Sequence, residues 1–250
     1  MSTAGGQVIV GATSEIGRAV VRELAQAGGR FVVAGRDAEE LDILAEDVRI
    51  RSGATMTALA LDVAALDRHA EFLDACVAAL GTVDGIVVCQ GFLADQDQAA
   101  GDWSLAERMI TVNYTSAVSL VNRFAAYLSA RGGGYICGIS SVAGDRGRQS
   151  NYLYGSTKAA FSTYLDGLRN RHYRNGVAVI TVKPGFVDTS MTWGMLNPRS
   201  PLVATPERVA RDIARAIRKR KNVVYTPWFW AWIMLIIRLI PEPVFKRLSL

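Results

Sequence analysis

Residues 7–25, QVIVGATSEIGRAVVRELA, decide the fold of this chain. The apolar run Gln7–Gly11 is typical of a buried strand, and the spacing of apolar residues over Ile16–Ala27 predicts an amphipathic helix. A short turn with a glycine at each end joins the two. A strand that passes through such a turn directly into a helix is the opening unit of a dinucleotide-binding α/β domain.

The turn between this strand and this helix suits an anion. Gly11 permits a tight bend, and Gly17 permits close packing of the helix on the strand. The backbone N–H groups at the helix start, with the hydroxyls of Thr13 and Ser14, are placed to bind a pyrophosphate. An ordinary strand-to-helix turn is the alternative, because a glycine pattern alone is weak evidence.

Beyond this unit, short apolar runs alternate with longer helical patterns. Runs that are apolar on both faces indicate a parallel sheet covered by helices on both sides. The sequence therefore predicts one doubly wound α/β domain of the Rossmann type over residues 1–226, followed by an apolar helical extension over residues 227–250. The other expected strands are Phe31–Ala34, Met56–Leu61, Gly85–Cys89, Gly134–Ile139, Val177–Val182 and Asn222–Thr226. The other expected helices are Ala38–Ser52, Leu66–Leu80, Leu105–Leu128, Tyr154–Arg171 and Arg208–Lys221.

The composition excludes several classes of protein. Half of the 250 residues are hydrophobic and 20% are charged, which suits a large core and excludes a disordered chain. The net charge of +5 comes without a basic-aromatic pattern, so no nucleic-acid partner is expected. Three cysteines in apolar surroundings and two histidines predict no metal site. No secretory leader is recognisable, so we expect free thiols in a cytoplasmic protein.

The second and third strands end in residues that suit the adenosine half of a dinucleotide. At Gly35-Arg36, an acid would bind a ribose 2′-hydroxyl, whereas a cation favours the 2′-phosphate of NADP. Gly35 leaves space and Arg36 offers a fork of donors, so we expect NADP. Asp37 either opposes that phosphate or caps the next helix. Asp62, beside Val63, is placed to accept a hydrogen bond from the adenine amino group, with a turn aspartate as the alternative.

Further motifs follow in a fixed order. They are Asn113 in a helical pattern, Ser140-Ser141-Val-Ala-Gly144, Tyr154-Gly-Ser-Thr-Lys158 and Pro184-Gly-Phe-Val-Asp-Thr189. Together with the glycine turn, they make residues 7–189 similar to the short-chain dehydrogenase/reductases. Ser141 stands thirteen residues before Tyr154, which is the usual interval of that family and selects it over Ser140.

The resemblance implies a role in ketone reduction for four residues. Tyr154 and Lys158 are four apart, so they share one face of a helix. Tyr154 would give a proton to the carbonyl oxygen as hydride reaches the carbon, and Ser141 would hold that oxygen. Lys158, with the oxidised nicotinamide, would bring the pKa of Tyr154 closer to neutral and would also hold the nicotinamide ribose. Asn113 would anchor a water that connects Lys158 to solvent. Each residue alone also fits a structural role, but together they favour catalysis.

The resemblance also implies which residues surround the cofactor and the substrate. Val187 and Thr189 would lie near the nicotinamide carboxamide. The other residues expected along the cofactor are Ile16, Gly91, Pro184 and Gly185. A substrate lid is expected to follow, and its apolar residues suit a hydrophobic ketone. These lid residues are Met191, Trp193, Met195 and Leu196. Ordinary packing of this segment onto its own domain is the alternative.

Two positions depart from the usual family pattern. Glu15 replaces the middle glycine of the first motif, and a carboxylate there is compatible with a pyrophosphate only if it points away, towards the helix surface. After the fourth strand, Val88-Cys-Gln-Gly91 replaces the usual Asn-Asn-Ala-Gly. Gly91 keeps the room for a cofactor, but the asparagine contacts are missing.

At both departures the sequence is similar to one subgroup of the family, the reductases of decaprenylphosphoryl-2-keto-ribose. The similarity covers Gly11–Gly17, Gln90–Gln96 and the C-terminal tail. It implies a keto sugar on a polyprenyl phosphate, a place in cell-wall synthesis, a partner oxidase that supplies the ketone, and NAD as the alternative to NADP. A 3-oxoacyl thioester or a steroid is the alternative substrate. A non-enzymatic dinucleotide sensor is disfavoured by the complete set of catalytic residues.

The tail carries three of the five tryptophans, within Pro227–Ile237. This apolar run is shorter than the ~20 residues that span a bilayer. Lys219–Lys221 and Lys246-Arg247 flank it, and tryptophan favours the boundary between water and lipid. We therefore expect a helix that lies on the inner face of the membrane. A helix buried in an oligomer interface or over the substrate pocket is the alternative, and family habit predicts a homo-oligomer.

Overall fold

The computed structural model describes residues 5–192, 194, 197 and 200–248. Nine strands occur within these ranges: β1 (Gly6–Val10), β2 (Arg30–Gly35), β3 (Thr55–Ala60), β4 (Val83–Val88), β5 (Gly134–Ile139), β6 (Val177–Pro184), β7 (Phe186–Val187), β8 (Val203–Ala204) and β9 (Val223–Thr226). Seven of them form one parallel sheet in the order β3-β2-β1-β4-β5-β6-β9, and β7 pairs with β8 separately. The predicted doubly wound sheet is thus confirmed.

Ten α-helices occur within the described ranges. They are α1 (Glu15–Ala25), α2 (Ala38–Ser52), α3 (His69–Leu80), α4 (Gln96–Gly101), α5 (Trp103–Ile110), α6 (Ser116–Ala130), α7 (Tyr152–His172), α8 (Pro206–Arg218), α9 (Trp230–Leu239) and α10 (Glu242–Phe245). They lie on both faces of the sheet and bury its strands, so that Val8 and Val10 of β1 face one hydrophobic cluster and Ile9 faces the other. This two-sided burial explains why the strands are continuous apolar runs in the sequence.

The chain reverses direction across the sheet between β1 and β4, which are neighbours. Such a switch point opens a crevice at the carboxyl ends of the strands, where ligands of this architecture bind. Apart from Asn113, which lies in the turn between α5 and α6, the motifs of the family resemblance follow carboxyl ends of strands or lie in the first turns of helices there. The topology therefore brings them to one edge of the sheet.

One predicted helix differs from the structure. The expected helix Leu105–Leu128 is divided into α5 and α6 by a π-helical turn at Thr111–Thr115. Asp102 caps the start of α5 by accepting a hydrogen bond from Ser104 N. The widened turn has a physical reason, since it places Asn113 inside the protein, where its amide finds three hydrogen bonds.

The C-terminal segment packs on the domain through one face of α9. Trp230 and Met234 are buried in a cluster with Val142, while the other face is exposed. Within the described ranges, none of the helices combines the length and the apolar character that crossing a bilayer requires. On α8, the cations Arg211 and Arg215 are exposed to solvent, whereas Val209 and Ile213 are buried against the domain.

Candidate active site

The glycine turn fits a dinucleotide because its two glycines are sterically required. Gly11 has φ +75°, and a Cβ there would lie 2.6 Å from Gln90 N. A Cβ on Gly17 would lie 2.2 Å from Gly11 O, so only glycine lets α1 approach β1 this closely. The start of α1 consequently faces the crevice with N–H groups that the helix itself does not use. Ile16 packs partly against the core under this turn.

Ser14 corrects one expectation. Its hydroxyl donates to Gly11 O at 2.8 Å and accepts from Gly17 N at 3.1 Å, so it caps α1. The hydroxyl is committed to the turn because an uncapped helix start leaves a backbone donor unpaired. Thr13 keeps the expected position and lines the crevice beside Gly35.

Glu15, which stands where the family pattern has a glycine, turns its side chain towards the segment that follows β7. Its carboxylate accepts a hydrogen bond of 2.8 Å from Ser190 N, in the segment that follows β7. Burial raises the pKa of Glu15, but the hydrogen bonds from Ser190 outweigh this effect, and the pKa is lowered. The unusual residue of the first motif thus connects the dinucleotide turn to the expected substrate lid.

A groove of about 530 Å³ extends from this turn along the ends of β2, β3 and β4. It has room for the adenosine half of a dinucleotide. The residues predicted from sequence that line it are Gly11, Thr13, Ser14, Arg36, Asp62, Val63 and Gly91. The protein's own residues therefore fit the expected cofactor.

Three charged residues near this groove were given alternative roles from the sequence: Arg36, Asp37 and Asp62. Arg36 lines it, and the part of the chain that the structure describes offers it no ion pair. Asp37 is turned away as the N-cap of α2, accepting from Glu40 N at 3.0 Å. Asp62 accepts from Ala64 N at 3.0 Å, as a turn aspartate does, while still lining the groove.

One wall of the groove was missed from the sequence. It consists of residues of α5 and the first residue of the π-helical turn, and the guanidinium of Arg108 lies 4.3 Å from the centre of the Phe92 ring. The wall residues are Ser104, Glu107, Arg108 and Thr111. No sequence signal identified them, because nothing local to α5 indicates that it faces the ends of β2, β3 and β4.

The structure brings Ser141, Tyr154 and Lys158 together at the ends of β5 and the start of α7. The Ser141 hydroxyl is close enough to Tyr154 to lower the pKa of the phenol, against the effect of burial. Ala143 N donates to Ser141 Oγ at 3.1 Å and fixes this side chain. Ser140 is used elsewhere, since its hydroxyl donates to Lys158 O at 2.9 Å. The geometry thus selects the same serine as the spacing.

Lys158 is buried, and its ammonium donates to Ile139 O at 3.1 Å. The ammonium lies 5.7 Å from the centre of the Tyr154 ring. Burial lowers the pKa of Lys158 to about 8. Burial also raises the pKa of Tyr154 to about 12, against the lowering effect of Ser141. The expected lowering of the Tyr154 pKa also invoked the oxidised nicotinamide, and without it burial is the largest effect on this phenol.

These pKa values predict how ketone reduction depends on pH. Reduction should be fastest below about pH 8 and fall above it, because Lys158 loses its proton there while Tyr154 remains protonated. The measurement is kcat/KM from neutral to strongly alkaline pH. In Lys158→Arg the cation persists to a pKa above ~12, so the alkaline fall should move upwards. An unchanged fall in that variant would assign the titration to another group.

Asn113 holds the backbone next to Lys158 through hydrogen bonds of its side-chain amide. It is buried, and its amide accepts from Phe92 N at 2.7 Å and donates to Phe92 O at 2.8 Å. A third bond of 3.2 Å reaches Thr157 Oγ1 on α7. Asn113 thereby fixes the Gly91-Phe92 backbone beside Lys158, whose ammonium would lie 3.8 Å from a Cβ on Gly91. The water relay stays a prediction.

The segment after β6 forms the far side of the site. Pro184 ends β6, and Val187 is buried in β7. The indole of Trp230 covers Gly185 so closely that a Cβ there would lie 1.9 Å from Trp230 Nε1. The tail contact with Gly185 was missed, since nothing local to either residue signals it.

Thr189 and the expected lid come next. The hydroxyl of Thr189 lies 3.3 Å from Thr192 Oγ1. Met191 is 37% exposed, and its terminal carbon would lie 3.5 Å from a Cβ on Gly91, so it reaches over the reaction centre. The other expected lid residues, which lie outside the described residues, are Trp193, Met195 and Leu196.

A doubly wound sheet with a glycine turn and a serine–tyrosine–lysine group at its carboxyl edge defines a dinucleotide-dependent oxidoreductase. The sequence profile of the family described as short chain dehydrogenase matches residues 7–199. An uncharacterised oxidoreductase of Mycobacterium tuberculosis is 36% identical over 241 residues, which cover 96% of each chain. The protein belongs to the short-chain dehydrogenase family and is an NAD(P)-dependent oxidoreductase.

Solved structures share the fold. A short-chain dehydrogenase from Sphingobium yanoikuyae in complex with NADPH has a TM-score of 0.83 at 24% identity, covering 98% of this chain and 96% of that one. A single-residue variant of actinorhodin polyketide ketoreductase with NADPH has a TM-score of 0.82 at 22% identity, covering 92% of this chain and 98% of that one.

Proposed function

We propose that the protein reduces the keto group of a sugar linked to a polyprenyl phosphate, with NADPH as the hydride donor. The observation that carries this reaction class is the grouping of Tyr154 with the buried Lys158, whose ammonium lies 5.7 Å from the centre of the tyrosine ring. Burial raises the pKa of Tyr154 to about 12, which suits a proton donor. The nicotinamide cofactor, when bound, supplies the hydride. The chain's own residues supply the proton and the orientation of the ketone.

Each of these residues has a separate task. Ser141, held by Ala143 N, would donate a hydrogen bond to the carbonyl oxygen. Tyr154 would give that oxygen its proton as negative charge develops there. Lys158 would hold the nicotinamide ribose and, as a buried cation, stabilise the phenolate that remains. Asn113 would anchor a water that connects Lys158 to solvent, and Tyr154 would regain its proton through this water.

The substrate class rests on the motifs shared with the polyprenyl-sugar reductases and on the apolar character of the walls. Met191 lies over the reaction centre, and Trp230 covers the segment after β6. Apolar walls with a few polar groups suit a hydrophobic ketone better than a free sugar. The resemblance implies an oxidase that acts on the corresponding hydroxyl and supplies the ketone, so we propose a partner of that class.

Loss of absorbance at 340 nm tests the substrate. The two ketones are a detergent-solubilised polyprenylphosphoryl 2-keto-pentose and acetoacetyl-CoA, each with NADPH and with NADH. Turnover of the lipid-linked ketone alone supports the proposal. Turnover of the thioester alone would replace it with a reductase of 3-oxoacyl groups. Dinucleotide binding without turnover of any ketone would favour a sensor.

Arg36 is proposed to select NADPH. Its guanidinium lines the groove without an ion pair among the described residues, and a 2′-phosphate would supply the missing anion. Arg36→Ala should raise KM for NADPH by about tenfold or more, because a charge-assisted hydrogen bond contributes ~1.5–3 kcal/mol. KM for NADH should change little. Arg49→Ala, which removes an exposed arginine paired with Glu46 on α2, is the matched control. Equal losses for both cofactors would contradict the assignment.

We also propose that the exposed face of α9 lies on an anionic membrane. Trp232 is 62% exposed and Ile236 is 65% exposed. The exposed cations Arg238, Lys246 and Arg247 follow them, which suits the headgroups of acidic phospholipids. A polyprenyl chain is held in the membrane, so the protein would bind such a substrate at this surface.

Sedimentation with vesicles tests the membrane contact. The full chain should sediment with vesicles that contain phosphatidylglycerol and less with pure phosphatidylcholine. The double variant Trp232→Ser, Ile236→Ser should stay in the supernatant. Trp103→Ser is the control, since Trp103 is 68% exposed on α5, away from the tail. If the double variant instead turns a dimer into a monomer without altering sedimentation, the face is an oligomer interface.

A further inference from the structure

The side chain of Arg146 connects the loop after Ser141 to the C-terminal end of α9. Its Nη1 donates to Ile237 O at 2.7 Å, to Ile240 O at 2.6 Å and to Arg238 O at 3.3 Å. The last carbonyls of a helix have no intrahelical donors and carry the negative end of the helix dipole. The guanidinium therefore caps α9 from another part of the chain.

The same guanidinium holds α10. Its Nη2 donates to Glu242 Oε2 at 2.9 Å, and its central carbon lies 3.6 Å from the centre of the Phe245 ring. The Arg146 side chain is only 15% exposed, so these bonds are largely shielded from water. A lysine could not match the contact, because it lacks the planar fork that bonds several acceptors and stacks on a ring.

The residues around Arg146 anchor the serine loop to the sheet. Its neighbour Asp145 accepts from Lys183 Nζ at 2.5 Å and from Tyr225 Oη at 2.8 Å. Val142, the residue after Ser141, packs directly in the cluster of α9. The loop that carries the catalytic serine is thus held by β6 and β9 on one side and by the tail on the other.

The tail reaches the opposite side of the reaction centre as well. Trp230 Nε1 donates to Leu202 O at 3.3 Å, and its ring meets the edge of Phe186 at 5.0 Å between centroids. The same indole covers Gly185. One short helix therefore contacts both segments that would enclose a ketone.

We infer that Arg146 is a positioning residue, which caps α9 and so holds the C-terminal segment, residues 230–245, against the serine loop to fix Ser141 opposite Tyr154. This inference rests on the proposed reduction for its kinetic consequence. According to this inference, kcat depends on Arg146, which does not touch the substrate, and on the C-terminal segment, which lies outside the sheet.

Three full-length variants test this inference: Arg146→Ala, Arg146→Lys and, as control, Arg171→Ala on the exposed end of α7. Two readouts need no substrate. They are tryptic cleavage after Arg238 and hydrogen exchange of the peptides that cover residues 141–151 and 230–245. The third readout is kcat and KM for 9,10-phenanthrenequinone, a small ketone probe, together with NADPH affinity.

In Arg146→Ala we expect faster cleavage, faster exchange in both peptides and a fall in kcat of about tenfold or more, because a displaced catalytic group loses the alignment that accelerates the reaction. NADPH affinity should fall far less than kcat, since the adenosine groove lies along the ends of β2, β3 and β4 and the tail covers only Gly185 among the expected cofactor residues. Guanidinium ion should restore part of kcat, and Arg146→Lys should be intermediate.

Two results would overturn the inference: release of the tail with kcat unchanged, or loss of kcat and NADPH affinity together. If Arg146→Ala does not fold, exchange and kcat in Arg146→Lys decide between these outcomes. If the wild type does not reduce the quinone, the proposed reduction is in doubt, but exchange of residues 141–151 still shows whether Arg146 holds the serine loop.

Discussion

Replacing Tyr154 with phenylalanine should lower kcat for ketone reduction by about a thousandfold or more, with dinucleotide affinity nearly unchanged. We propose this hydroxyl as the proton donor of the site, and burial raises its pKa to about 12, which suits a protonated group. Phenylalanine keeps the ring and removes only the donor. Ser141 would remain in place, because Ala143 N still bonds its oxygen.

A matched control lies two residues earlier on the same helix. Tyr152 is 48% exposed, so Tyr152→Phe should leave kcat within about twofold of the wild type, as surface substitutions do. The measurements are kcat from the loss of absorbance at 340 nm and NADPH affinity from fluorescence. If Tyr154→Phe keeps most of its turnover, the proton comes from another group, and the assignment of Tyr154 as the acid is wrong.

Substituting alanine at Gly17 should abolish most dinucleotide binding and lower the free energy of unfolding. A Cβ there would lie 2.2 Å from Gly11 O and 2.9 Å from Ala12 Cα, and backbone atoms cannot yield as a side-chain end can. The helix must move away from β1, so we expect a loss of about 3 kcal/mol in stability. Displaced N–H groups should weaken NADPH binding by about a hundredfold, since the anion depends on their direction.

The control for this prediction is the same substitution in a helix with open space. Gly167 is exposed on α7 and has no atom within 4 Å of an added Cβ. Gly167→Ala should raise stability by about 0.5–1 kcal/mol and leave NADPH affinity unchanged. Denaturant unfolding and titration with NADPH measure both quantities. Unimpaired NADPH binding in Gly17→Ala would be evidence against this turn as the anion site.

The parts of the fold that follow from local pattern could be predicted from the sequence. The seven strands of the main sheet are short apolar runs, and the turn at Gly11–Gly17 needs glycine for reasons that are local to it. The spacing of Ser141 and Tyr154 likewise reflects one strand end and one helix start. Periodicity and turn chemistry act over a few residues, so they can be read without the tertiary structure.

The rest depends on neighbours far away along the chain. Glu15 accepts a hydrogen bond from the backbone of Ser190, 175 residues later, and no local pattern indicates this partner. Ser14 is a local exception, because it was expected to donate to the pyrophosphate, whereas its hydroxyl donates to Gly11 O. The role of Arg146 could not be predicted, because the helix end that it caps lies in a distant segment and leaves no pattern in the sequence around the arginine.

The cap that Arg146 places on α9 joins residues that are 94 positions apart. Contacts of such separation form slowly, because closing a long loop costs chain entropy before the contact contributes any stability. We therefore expect the serine loop to gain this contact late in folding. During refolding, dinucleotide affinity should appear before turnover of substrate.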